Sequence, residues 1–219
     1  LNIQLPRGVL LLFVVSAILP GIALFAPVTP RWTGIVLLLA FVLAIVYLIR
    51  SSRHQDIAPE GEVAEALEKQ RPLWMAIVLT LVGLVLISVG GELVAFGAAR
   101  IIALLGIPAL LMGMVVTPAV IELEEIVRQA LPSKEGRHDI SAGNLVGTLL
   151  YFTLFNLGLI ALITPVQVNP LIRELDWPFL VVVVLIATCF LWRGRVGRSA
   201  GALLLLSYAV YILLHIVVR

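Results

Sequence analysis

In a chain of 219 residues, apolar side chains make up 61% and charged ones only 13%, with a net charge of +2. A soluble domain carries about a quarter charged residues, and one core of this size cannot hide so much apolar surface, so lipid is the natural solvent. The basic residues are scattered rather than patched, which excludes a nucleic-acid surface, and Cys189, the only cysteine, allows no internal disulfide.

A helix crosses the hydrocarbon core with about 20 apolar residues. Runs of that kind predict an all-α, polytopic membrane helix bundle with seven transmembrane helices near 8–26, 32–50, 73–98, 107–131, 140–164, 177–193 and 199–217. The third has room to continue to Leu105 as a longer, tilted helix. Between the second and third spans lies a polar stretch, 51–72, with a Pro59-Glu60-Gly61 turn. Its Glu62, Glu65, Glu68 and Lys69 are read as a solvated linker or a short amphipathic surface helix.

Span order assigns the basic residues to sides. Arg7, Arg50, Arg53, Lys69, Arg71, Arg128, Lys134, Arg137, Arg193, Arg195 and Arg198 fall on one face, against Arg31, Arg100, Arg173 and Arg219 on the other. Positive loops stay inside, so the linker is expected in the cytoplasm and the C-terminus outside, in a bacterial or archaeal inner (plasma) membrane.

The first two spans align with the last two at a constant offset of 167 residues. Arg31-Trp-Thr-Gly34 meets Arg198-Ser-Ala-Gly201, Phe25 meets Trp192, and Phe41 meets Tyr208. That offset equals five spans, an odd number, so the two copies have opposite orientations. Inverted repeats are a hallmark of secondary transporters, with the ion site where the repeats meet. Residues 1–50 then read as the last two helices of a first repeat, and 73–219 as a complete five-helix second repeat. A ten-helix protein is expected, with the missing N-terminal repeat as a partner of this chain; a complete seven-helix protein is the alternative.

The fourth span carries Glu122, Glu124 and Glu125. An acidic residue at that depth costs about 2.5 kcal/mol or more and marks an ion or proton pathway by default. Glu122 and Glu125 share a helix face, and two carboxylates so close are eased when one holds a proton or both share a cation. Glu124 precedes Arg128 by four residues, so an intrahelical ion pair stands beside a functional role. Pro118 frees backbone carbonyls one turn upstream, including that of Met114, and predicts a kink. On the fifth span Thr148 offers a hydroxyl, Gly143 and Gly147 allow close helix approach, and Asn144 and Asn156 are pathway candidates. Glu92, a lone acid on the third span, either lines a pathway or pairs with Arg100. No His/Cys cluster, nucleophile–base pair or phosphate loop appears, so neither an enzyme nor a cofactor is implied.

Gly-Glu-Leu-Val-x-x-Gly-Ala over 91–98, Leu-Gly-Ile-Pro over 105–108, Gly113, Gly143-Asn-Leu-Val-Gly-Thr148 and the run 156–163 followed by Pro165 form a pattern. In these motifs the chain resembles the cation/calcium antiporter superfamily, which includes sodium/calcium and calcium/proton exchangers, from about Gly90 to Arg219. The resemblance implies a ten-helix inverted-repeat exchanger fold with one acidic repeat in each half, residues 7–50 being its fourth and fifth helices. It places Glu125 at the family's acidic ligand position and Thr148 at a serine ligand position, and likens Pro118 to the proton-coupled branch. Glu122 and Glu124 replace smaller family residues, and Leu149 and Phe152 stand where amide side chains are usual. Calcium takes six to eight oxygens, so the departures weaken the usual calcium cage. The implied function is a secondary antiporter working by alternating access, with Glu125 and Glu122 as metal ligands or proton carriers. The transported cation is calcium, sodium or a proton. The competing readings are a non-transporting helix bundle, or an inactive fragment, using the acidic cluster for assembly.

Overall fold

The computed structural model describes residues 5–52, 72–106, 112–134, 136, 138–194 and 196–217. The expected linker at 51–72 lies almost wholly outside the described residues. Helices account for nearly all the rest: α1 (Arg7–Ile18), α2 (Gly21–Leu24), α3 (Arg31–Ser52), α4 (Leu73–Leu105), α5 (Thr117–Lys134), α6 (His138–Leu150), α7 (Leu157–Ile163), α8 (Trp177–Trp192) and α9 (Arg198–Val217). Wider π turns occupy Met112–Val116 before α5, Tyr151–Asn156 between α6 and α7, and Ile172–Asp176 before α8.

Among the described residues six helices are long and apolar enough to cross a membrane: Arg7–Leu24, Arg31–Ser51, Leu73–Leu105, Ser141–Ile163, Ile172–Trp192 and Arg198–His215. They correspond to six of the seven predicted spans. The stretch expected at 107–131 is helical from Met112 onward, but Glu122, Glu124, Glu125 and Arg128 interrupt its apolar run, and 107–111 lie outside the described residues. The sixth predicted span starts earlier than expected, because the π turn Ile172–Asp176 continues α8 toward its N-terminal side.

Contacts divide the chain into two units, Leu1–His54 with Glu125–Arg219, and Gln55–Glu124. In the first, α3 packs along α7, and α1 lies against α8 and α6. The α3–α7 crossing is made by two glycines. A Cβ on Gly34 would stand 2.6 Å from the Gly158 carbonyl oxygen, and one on Gly158 only 3.0 Å from Leu37 Cβ. Small residues let backbones meet where lipid supplies no hydrophobic drive for association. Leu37 beneath the crossing is fully buried, and Val9, Phe13, Val146, Leu150 and Val184 extend that core through α1, α6 and α8.

The first span bends at Pro20, which has no N–H to continue α1. The Trp177 indole N–H donates to the Ala17 carbonyl at 3.0 Å. Gly21 makes room for that ring, since a Cβ there would lie 2.5 Å from it, and Phe25 meets it edge-on at 5.5 Å. Extended backbone after the bend pairs with the segment after α7: Thr29 N–H donates to Val166 O at 2.9 Å and Val168 N–H to Pro27 O at 2.8 Å. The buried Thr29 hydroxyl accepts from Val166 N–H at 2.9 Å. No backbone group in this short pairing has to be left dry and unmatched.

In the second unit α4 has 33 residues, about 50 Å at helical rise, against about 30 Å of hydrocarbon, so its ends reach the headgroup layers. It follows the longer of the two expected courses, to Leu105. Its Thr80 and Ser88 hydroxyls donate back to the Ala76 and Leu84 carbonyls at 2.8 and 2.9 Å, which keeps them satisfied in an apolar solvent. The helix closes on Gly106, whose φ of 65° suits a residue without a Cβ.

Gly34 and Gly201, matched at the 167-residue offset, have different surroundings: nothing lies within 4 Å of a Cβ on Gly201. Gly34→Ala is expected to cost about 1–3 kcal/mol by overpacking. Gly201→Ala is expected to be neutral or stabilising by no more than about 1 kcal/mol. Unfolding of both variants in detergent micelles measures the contrast.

Candidate functional site

Helix α5 carries the acidic residues and is preceded directly by the π turn Met112–Val116. Pro118 follows that turn by two residues, and its missing N–H leaves a carbonyl of the wider turn without an α-helical donor. Backbone irregularity therefore ends six residues before Glu122, and π turns are frequent at functional sites. Glu122 and Glu125 are both half-buried on α5. The side chains of Glu124 and Arg128 lie outside the described residues, and so does their expected ion pair.

Of the three acids on α5, Glu125 falls in the first unit. The Asn144 amide of α6 donates to Glu125 Oε1, joining two sequence candidates that are nineteen residues apart. An amide donor directed at a carboxylate forms a charge-assisted bond. Thr148, one turn beyond Asn144, is half-buried on α6. Asn156 ends the π stretch Tyr151–Asn156 and is half-buried. Within that stretch Thr153 Oγ1 donates to the Leu149 carbonyl at 2.6 Å, and Phe155 packs against Phe41 at 5.2 Å and Tyr151 at 5.4 Å. Glu92 is exposed on α4. Its suggested partner Arg100 instead lies over the Phe96 ring, 5.6 Å from the centroid. Among the described residues no group of three or more His, Cys, Asp or Glu side chains is placed to hold a metal.

A second polar cluster was not anticipated from the sequence. Asp176, at the end of the π turn before α8, has a side chain only 10% exposed, and His215 near the end of α9 only 2%. His215 Nε2 lies 2.8 Å from Asp176 Oδ1, an ion contact too oblique to form an aligned hydrogen bond, and Asp176 Oδ2 has no hydrogen-bond partner. Tyr211 donates its hydroxyl to Asp176 Oδ1 at 3.1 Å. A span boundary at residue 177 puts Asp176 in a loop, and hydropathy alone assigns His215 no partner. The Tyr211-x-x-x-His215 spacing on one face of an apolar helix was the available signal.

Comparison with known proteins adds to this geometry. The family described as sodium/calcium exchanger protein matches residues 75–217, a stretch that contains α5, α6 and every candidate acid. The chain is similar to inner membrane protein YrbG of Escherichia coli strain K12, 26% identical over 213 residues, covering 94% of this chain and 65% of that protein. It is 28% identical over 142 residues to putative antiporter CaxA of Alkalimonas amylolytica, covering 65% of this chain and 44% of that one. A vacuolar calcium ion transporter of Schizosaccharomyces pombe is 22% identical over 186 residues, covering 84% and 45%. The chain thus spans less than two thirds of the length of these relatives. No solved structure matches it significantly. Six apolar helices and these membrane relatives make it an integral membrane protein.

The Glu125–Asn144 bond has a measurable worth. In a double-mutant cycle of Glu125→Ala and Asn144→Ala, unfolding in detergent is expected to give a coupling energy on the order of 1 kcal/mol. A coupling near zero would mean that α5 and α6 do not meet through this pair.

Proposed function

The chain belongs to the sodium/calcium exchanger protein family, and on that premise we propose that it is part of a secondary active cation antiporter rather than an enzyme. Calcium or sodium is exchanged against protons or sodium by alternating access. Glu125 is the central ligand, Glu122 the second ligand or proton carrier, and Thr148 an auxiliary oxygen. The observation that carries this reading is the half-buried Glu125 carboxylate of α5 engaged by Asn144 of α6. Both residues lie inside the segment that matches the family.

Two carboxylates one turn apart repel each other when both are ionised, and either a proton or a cation relieves that repulsion. Each therefore displaces the other, which is the elementary step of exchange. With Leu149 and Phe152 beside Thr148 the second half offers few neutral oxygens, and a cage of six to eight oxygen ligands is hard to complete from it. This favours proton coupling, or a cation that needs fewer oxygens. The names of two relatives, an antiporter and a calcium ion transporter, are in keeping with the proposal.

The proposal extends to topology. Residues 1–50 and 168–217 are related copies in opposite orientation, a relation supported by α3 and α9 both starting at the matched arginines, Arg31 and Arg198. The 51–72 linker is cytoplasmic and the C-terminus outside, in line with the distribution of basic residues.

Flux through the full-length protein in proteoliposomes tests the assignment. Glu125→Gln is expected to abolish cation-driven proton or isotope flux. Thr148→Val is expected to weaken apparent cation affinity by about tenfold or less, the worth of one neutral oxygen contact. Undiminished flux in Glu125→Gln would refute Glu125 as the central ligand.

A further inference from the structure

We propose that Asp176 and His215 form a proton-binding pair inside the helix bundle, with His215 held as an imidazolium between Asp176 and the Tyr211 carbonyl. The argument starts from what each ring nitrogen faces. Nδ1 lies 3.0 Å from the backbone carbonyl oxygen of Tyr211, and a carbonyl oxygen only accepts. Nε2 lies 2.8 Å from Asp176 Oδ1. That oxygen already receives the Tyr211 hydroxyl at 3.1 Å, so it too is placed as an acceptor. A neutral imidazole has one N–H and one lone pair; with oxygens opposite both nitrogens, only the doubly protonated ring turns an N–H toward each, Nδ1 in a hydrogen bond and Nε2 in an oblique ion contact with Asp176. The Tyr211 ring packs against the imidazole at 4.4 Å, adding an aromatic face to which a cation is attracted.

Charge balance points the same way. Without the extra proton the pair is a buried carboxylate beside a neutral ring, and it carries one negative charge. With it the pair is neutral overall. The step is protonation alone: a hydronium ion loses one O–H bond and departs as water, and the Nε2 lone pair forms the new N–H bond. Asp176 and Tyr211 line a cleft of about 630 Å³ together with Thr153, Gln167, Ser207 and Tyr208, and His215 is not among its walls. Asp176 thus borders the cleft while His215 does not, and its Oδ2 is buried with no hydrogen-bond partner.

Among the described residues few other charges bear on the pair. On α9, Tyr208 and Tyr211 face the same cleft as Asp176. On the run that carries Asp176, Arg173 and Glu174 pair with each other at 3.3 Å, and Cys189 of α8 is exposed. Of the elements packed against α8 and its π turn, α2 has no titratable side chain, and α1 has only Arg7, which lies over Trp192 at the other end of α8. Arg219 lies outside the described residues. The bound proton thus fastens the first turn of α8's span to the last turn of α9, apart from the acidic helix α5 and independently of the exchange proposed above.

Nitrogen-15 NMR of the histidine-labelled full-length protein in micelles reads this directly. The chain has three histidines, His54, His138 and His215, and His215→Gln assigns the signal. Both ring nitrogens of His215 are expected to carry protons at neutral pH, and Asp176→Asn is expected to remove the proton from one of them. Should Asp176→Asn fail to fold, the wild-type spectrum decides alone. A wild-type His215 ring with one unprotonated nitrogen, or a ring unaltered by Asp176→Asn in a folded variant, overturns the proposal.

Discussion

Hydrocarbon offers no hydrogen bonds, so every polar group carried into it must be matched by another part of the protein or be eased by an ion. That constraint orders what is seen in the spans. Lone hydroxyls return to carbonyls of their own helix, as with Ser16 on Phe13, Thr80 on Ala76 and Thr188 on Val184. Larger polar groups have to reach another helix, as Asn144 reaches Glu125 and as Tyr211 and His215 reach Asp176. The first kind of match leaves the helices independent of one another. The second ties them together, and it concentrates charge where protons and cations can act.

Close approach is what makes the second kind feasible. Gly34 and Gly158 bring α3 and α7 into backbone contact, and Gly8 and Gly21 admit the Tyr47 and Trp177 side chains against the first span. Bulk apolar side chains do little of this positioning. Leu43, Ile87 and Leu205 each keep 70% or more of their surface exposed, as suits residues whose surroundings are lipid. Wide backbone turns mark the places where a helix passes a polar group: one precedes α5, one separates α6 from α7 and one carries Asp176. A π turn rotates the side chains that follow it relative to those before, so one helix can present polar groups to different neighbours.

Spans were legible in the sequence because a bilayer imposes a length, and an unbroken apolar run meets it or does not. Six did, and the stretch around Glu122 to Arg128 was the hard case, since its charges dilute its apolar character. Glu125 and Asn144 could each be singled out by residue type and depth. Their partnership could not, because nineteen positions of sequence hold no periodicity that specifies a contact between helices. Asp176 escaped notice for a different reason. Hydropathy places a boundary where apolar residues start, at Trp177, whereas the backbone continues helically through Ile172–Asp176 and draws a carboxylate inside. Glu92 and Arg100 show the converse error: two charges on one apolar helix suggested a pair, yet two turns separate them and Arg100 settles on Phe96.

The central claim is that the carboxylate of α5 is matched by a neighbouring helix within the membrane rather than by water. Dipolar recoupling between carbon-13 at Glu125 Cδ and nitrogen-15 at Asn144 Nδ2, in the full-length protein in lipid bilayers, addresses it without relying on transport or unfolding. A strong coupling, as for groups sharing a hydrogen bond of about 2.9 Å, is the predicted result. No detectable coupling, with Glu125 hydrated by bulk water, would contradict the account.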